Sequence, residues 1–200
     1  MATFYHPDSS PSDRWRALVL FGRNTASYKF AFGKALMQAA RLGRDTVRLE
    51  DLAPLYTSEL IRHLRSHPKQ TTAPSSSFLD ACRQFDEGAI DRDALTEVTV
   101  RIGFKDVVGA FQNLQGRRIA KPFYTDDLKS RGILVLHDDL LSLTHGDLLS
   151  DLESETESRW HLVETAWSLG VSAKILDVDT EGDLLTLISN YGQRAGVTSS

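Results

Sequence analysis

The residues best spaced for chemistry fall in one short stretch. Over residues 24–41, at about 100° per residue, Ser27, Lys34, Gln38 and Arg41 lie on one side of a helix, with Tyr28, Phe32, Ala35, Leu36 and Ala39 opposite. A row of hydroxyl, amide and cationic donors suits phosphate contact, and the unpaired N–H groups of a helix N-terminus favour the same anion. Arg23 extends the row, and Asn24 stands where the helix would be capped. Lys29 falls instead among Phe32, Leu36 and Ala40, so its ammonium needs a partner: Glu50 or Asp51, or an anionic ligand. The bland reading of the polar side is a solvated helix face.

Other candidates are weaker. His137-Asp138-Asp139 offers an imidazole and two carboxylates at a strand end, but both aspartates stand where the next helix needs a cap and a negative first turn, so no metal site is expected there. Glu153, Glu155 and Glu157 alternate around a helix rather than converging, which suits a solvated or partner-facing surface. Glu157, Trp160, His161 and Glu164 share one side and could form a docking stripe for a protein. Cys82 is the only cysteine, which excludes an intrachain disulfide and a cysteine-based zinc site. Its amphipathic surroundings mark it as a small core residue. Glycine-rich dinucleotide motifs, a P-loop and His-Glu-x-x-His are absent, and Asp127-Leu128-Lys129 matches a nuclease motif only by chance-level spacing. No catalytic set is evident.

The elements that must position these residues read as mainly helical with minor β structure. Helices are predicted from Asp13 to Phe21, from Asn24 or Thr25 to Leu42, and over 51–67, 77–87, 91–102, 105–115 and 147–169, with a further one starting at Asp138 or Asp139. Pro54 is expected in the first turn of its helix. Residues 46–49 read as a short extended link. Strands are predicted over 119–124 and 132–137; following a helix, they give the helix, strand, wing, strand order of a winged-helix-like element. A C-terminal β-hairpin is expected over 173–188 around Gly182. The organisation is then a disordered start (1–13), a basic helical subdomain (14–68), a linker (69–77), a helical, wing-like subdomain (78–137), and an acidic helix plus hairpin (138–200).

Charge separates the two ends. Residues 1–136 carry 20 Lys and Arg against 15 Asp and Glu, whereas residues 137–200 carry 3 against 12. Such asymmetry points to a polyanion-facing N-terminal end and an acidic end that packs on it or meets a partner. No apolar run is long enough to span a membrane and no signal segment is evident, so a cytoplasmic location is expected.

The run from Arg14-Trp15-Arg16 through Leu20-Phe21-Gly22-Arg23-Asn24-Thr25-Ala26-Ser27-Tyr28-Lys29-Phe30-Ala31 resembles the N-terminal region of bacterial HNH endonuclease-like proteins. The Asn-x-x-Ser-Tyr-Lys-Phe-Ala segment is its distinctive part. The likeness continues through Val47–Leu52, Gly103-Phe104, Ala110-Phe111 and Glu157-x-Arg159-Trp160-x-Leu162-Val163-Glu164. It implies a DNA-binding module preceding a ββα-metal nuclease, the divalent metal belonging to that nuclease. The chain itself contains no His-Asn-His set, so no catalytic residue carries over and no cofactor is expected within it. The expected function is nucleic-acid binding, DNA first, through Arg23, Asn24, Ser27, Lys29, Lys34, Gln38 and Arg41. The alternative is a protein-interaction subunit of a bacterial complex that works through Glu157, Trp160 and Glu164.

Overall fold

The computed structural model describes residues 9–22, 26–114 and 116–170. Helix α1 (Pro11–Phe21) begins one turn before Asp13, because the Ser10 hydroxyl accepts from the Asp13 N–H at 3.1 Å and Pro11 needs no donor at the first position. Helix α2 (Tyr28–Arg41) buries most of its circumference: Phe30, Ala31, Phe32, Gly33, Ala35, Leu36, Met37, Ala39 and Ala40 are all inside. Gly33 permits this, since a β-carbon there would stand 3.2 Å from the Phe111 ring and 3.3 Å from Trp15.

Strand β1 (Thr46–Arg48) leads into α3 (Leu49–Ser66), which packs Leu52, Tyr56, Leu60 and Leu64 inward at four-residue spacing. Pro54 sits in its second turn, not the first. Pro68 lies two residues beyond the helix. Next come α4 (Ser77–Asp86), capped by Ser76, and α5 (Arg92–Val98), capped by Asp91; a π turn (Thr99–Gly103) continues α5. Only α6 (Val107–Ala110) forms where a helix over 105–115 is predicted. The chain turns inward there to bury Phe111 and Gln112, and a two-stranded ribbon, β2 (Asn113–Leu114) with β3 (Arg117–Arg118), replaces the last helical turn.

The predicted strand over 119–124 is shifted. β4 is Tyr124–Asp127 and pairs antiparallel with β5 (Ile133–Leu136) across a single turn of helix, α7 (Leu128–Arg131). The buried Gln112 side chain takes the place of a strand for Phe123 and Tyr124: its Oε1 accepts from both N–H groups and its Nε2 donates to the Tyr124 carbonyl. β1 joins the other side of β5, giving the order β1-β5-β4. The link expected over 46–49 is thus a sheet strand. The expected wing is a helical turn, with the β2–β3 ribbon standing between α6 and the hairpin.

Helix α8 (Asp138–Ser142) follows at once, and α9 (Leu148–Ser168) closes the described chain by packing on α1 and α2. One continuous core runs from Trp15 to Trp167. Phe32 lies at its centre, with the rings of Phe111, Tyr124, Phe104 and Tyr56 at 5.5, 5.9, 6.0 and 6.2 Å. Among the described residues, no helix is long and apolar enough to cross a membrane. The predicted C-terminal hairpin, Arg23 and Asn24 lie outside the described residues.

Candidate functional site

Helix α2 is so deeply embedded that the donors predicted for phosphate face the protein's own groups. Ser27 is fully buried, and its N–H and hydroxyl both donate to the Gln70 carbonyl, at 3.0 and 3.2 Å. Lys29 finds neither Glu50 nor Asp51. Its Nζ donates to the Gly22 carbonyl at 2.7 Å and the Leu18 carbonyl at 3.3 Å, closing the C-terminus of α1, and lies 5.0 Å from the Phe30 ring centre. Lys34 sits 2.8 Å from both Glu59 and Glu157, and Gln38 Nε2 donates to Glu59 Oε1 at 3.1 Å. Of the predicted set within the described residues, Arg41 alone is exposed.

Lys34 opens a dense polar constellation along the seam of α3 and α9. Arg62 contacts the same two carboxylates, Glu59 at 2.9 Å and Glu157 at 2.7 Å, so two cations and two anions close a ring. Burial pushes the Glu157 carboxyl upward, but hydrogen bonds from Arg62 and Lys34 outweigh it and hold the group well below the usual carboxylate range. The same opposition, with Lys34 and Arg62 as donors, lowers Glu59. Arg62 is raised in turn, first by its bond to Glu157.

Three histidines adjoin this ring. His63, on α3, is buried and stacks flat on Trp160 at 3.5 Å between ring centres. Its Nδ1 lies 2.7 Å from Glu164 Oε1, while its Nε2 lies 3.1 Å from Glu157 Oε1. His161, half-exposed, repeats the pattern, with Nδ1 3.1 Å from Glu164 Oε2 and Nε2 3.2 Å from Glu157 Oε1. His67 adds a third Nδ1 at 3.2 Å from Glu164. Gln70 completes the buried side: its Nε2 donates to Glu164 at 2.5 Å and its Oε1 accepts from Trp160 Nε1 at 3.0 Å. Burial raises Glu164, but bonds from His63 and Gln70 overcome this and lower it. Gln70 lies in the stretch expected to be a linker, and its buried polar side chain fastens that stretch to the core.

The acidic helix therefore faces inward. Glu157, Trp160 and Glu164 do share a side, but Trp160 and Glu164 are buried against α3, and Glu155 receives two hydrogen bonds from Arg16 at 2.8 and 2.9 Å. On the outward side, among polar residues such as Ser158 and Thr165, stand two large apolar side chains, Leu162 on α9 and Leu169 at its C-terminal cap, 50% and 71% exposed. Asp138 and Asp139 do form the negative first turn of α8, but the cap position is His137 and no side chain caps the helix; His137 instead meets the Pro122 carbonyl and the Thr125 hydroxyl, and Asp139 pairs with the buried Arg14. Cys82 is buried, and burial pushes its thiol up to about 12, far from a reactive thiolate.

His63, His67 and Gln70 escaped the sequence reading. A signal existed: His63-x-x-x-His67 and Glu157-x-x-x-His161-x-x-Glu164 each place ligand-type side chains on successive turns of one helix face. Comparison with family models, curated proteins and solved structures finds no match for the chain.

Proposed function

We propose that this chain is a nucleic-acid-binding module, DNA first, of an HNH endonuclease-like protein, and that it works in the cytoplasm by binding rather than bond-making. The segment Asn24-x-x-Ser27-Tyr28-Lys29-Phe30-Ala31 supports the family likeness. The observation that carries the binding reading is a cluster of exposed cations outside the internal ion-pair ring. Lys34, Arg62 and Arg16 are taken up by glutamates, whereas Arg41, Arg44 and Arg48 lie exposed in one stretch between the end of α2 and the end of β1. Within it, Arg44 reaches Asp51 only at 3.7 Å, a weak contact in water. The phosphate-facing set is thus moved from Ser27, Lys34 and Gln38 to Arg41, Arg44 and Arg48.

The test is fluorescence anisotropy of the full chain with labelled double-stranded DNA from 50 to 200 mM salt. Binding should weaken steeply with salt, each phosphate contact adding about 0.9 to the log–log slope. Replacing Arg41, Arg44 and Arg48 together by Glu should abolish it, and Lys34→Met should leave the slope unchanged. Unchanged affinity in the triple variant would sink the assignment. Absence of any salt-dependent binding by the natural chain would transfer the proposal to a protein partner, met by the exposed Leu162 and Leu169 side of α9 rather than its inward glutamates.

A further inference from the structure

Two features of the α3–α9 seam exceed what a salt-bridge network requires. Three imidazole Nδ1 atoms, from His63, His67 and His161, converge on one fully buried carboxylate, Glu164, at 2.7, 3.2 and 3.1 Å. A second carboxylate, Glu157, stands behind two of those rings, its Oε1 3.1 and 3.2 Å from the Nε2 atoms of His63 and His161. At His161 this is the arrangement of a metal-binding histidine, one ring nitrogen toward the ion and the other toward a carboxylate that raises ligand basicity; the His63 Nε2 also accepts from the Arg62 guanidinium at 3.0 Å, which sets its proton on the Nδ1 that faces Glu164.

We propose that His63, His161 and Glu164 form a binding site for one divalent transition-metal ion of the zinc type, with Glu157 and Gln70 as its orienting partners. Ligand atoms of the three residues lie within 4.8 Å of one another. Tetrahedral zinc with ligands at about 2.0–2.1 Å spaces them about 3.3–3.4 Å apart, so the two imidazole nitrogens draw together while the contacts of Glu164 with His63 and His161, now 2.7 and 3.1 Å, open slightly to admit the ion. The exposed His161 ring, 49% accessible, supplies that freedom, while His63 is fixed by Trp160 and Glu164 by Gln70. The donor set of two imidazoles and one carboxylate suits Zn²⁺, Co²⁺ or Ni²⁺ and disfavours Ca²⁺ and Mg²⁺, which take oxygen-rich shells. His67, 35% exposed beside the same carboxylate, or water takes the fourth position. On binding, the ion replaces the protons shared between the Nδ1 atoms and Glu164, and these are released to solvent. The ion would clamp α9 to α3, independently of any nucleic acid.

The experiment is isothermal titration of the chelator-treated full chain with ZnCl2, paired with the visible spectrum on CoCl2 addition. The expected results are one ion per chain, tetrahedral cobalt bands, and an X-ray absorption signature of imidazole and oxygen ligands without sulfur. His161→Ala removes an exposed ligand and should weaken binding by more than the 10–100-fold typical of losing an outer partner. His145→Ala, at an exposed histidine between α8 and α9, should bind as the natural chain does. No binding at stoichiometric metal, or binding that His161→Ala leaves intact, would overturn the proposal. Should His161→Ala fail to fold, the absorption spectrum of the natural chain decides alone: sulfur ligation or fewer than two imidazoles refutes the site.

Discussion

Replacing Glu164 by Gln isolates the charge at the centre of the seam, because the side chains are nearly isosteric. The carboxylate has His63 at 2.7 Å and Gln70 at 2.5 Å, with His161 and His67 just beyond 3 Å, and is wholly buried. A glutamine keeps one acceptor oxygen, so one buried bond survives while an N–H₂ group is set against a donor. A charge-assisted bond is worth about 1.5–3 kcal/mol. Breaking a buried pair from one side costs about 3–5 kcal/mol, since the remaining partner is left uncompensated. The upper figure is tempered here by Glu157, which still faces the His63 ring from the other edge. A loss of about 3 kcal/mol is therefore expected, lowering the melting temperature of a chain this size by about 6–12 °C. The assay is chemical and thermal denaturation with a chelator present, completed as a cycle with His63→Phe, which preserves a flat ring against Trp160. A coupling energy above about 1 kcal/mol is expected for residues in direct contact. A shift below about 2 °C for Glu164→Gln, or additive effects in the cycle, would refute the picture of one cooperative polar seam.

Acid should loosen the seam before it affects the aromatic core. Glu59, Glu157 and Glu164 are each held below their ordinary value of 4.5, so their contribution is fully present above that value and is lost as pH falls below it. The denaturation midpoint should fall below about pH 4.5, and the gap between the natural chain and Glu157→Gln should narrow over the same range; a constant gap would contradict the assignment. Phe32→Ala should cost about 3–5 kcal/mol, as large aromatic deletions do. It should unfold the chain in one transition seen equally by all three tryptophans, because the core around Phe32 is continuous with both Trp15 and Trp160. Two separate transitions would mean that the basic and acidic ends fold independently.

What the sequence could and could not disclose divides along a physical line. Patterns that depend on neighbours in the chain were legible: the inward stripe Phe32, Ala35, Leu36 and Ala39, Gly22 and Gly170 at helix ends, and the length of α9. The helical wheel failed on the other side of α2. It ranks faces by polarity and cannot count neighbours. Ala31, Gly33, Met37 and Ala40 are small or apolar all round, the mark of a helix buried on every side. Once α2 is central, Lys34 must meet a carboxylate from elsewhere, and the two it meets lie 25 and 123 positions away.

The same argument explains the charge split that first suggested a polyanion. Opposite excesses at the two ends of a chain are as well satisfied by each other as by a ligand, and the ring of Lys34, Arg62, Glu59 and Glu157 satisfies them inside the fold. Only charge left over can act on an external partner. Arg41, Arg44 and Arg48 form one exposed cluster on the cationic side, and Arg117 and Arg118 on the β2–β3 ribbon form another. On the anionic side Glu164 is satisfied differently, by an amide and three imidazoles in place of the arginine–lysine pair that Glu157 receives. Its imidazole donors, unlike an arginine or a lysine, can each give up the proton they hold toward Glu164, and that makes the seam the first place to look for the proposed ion.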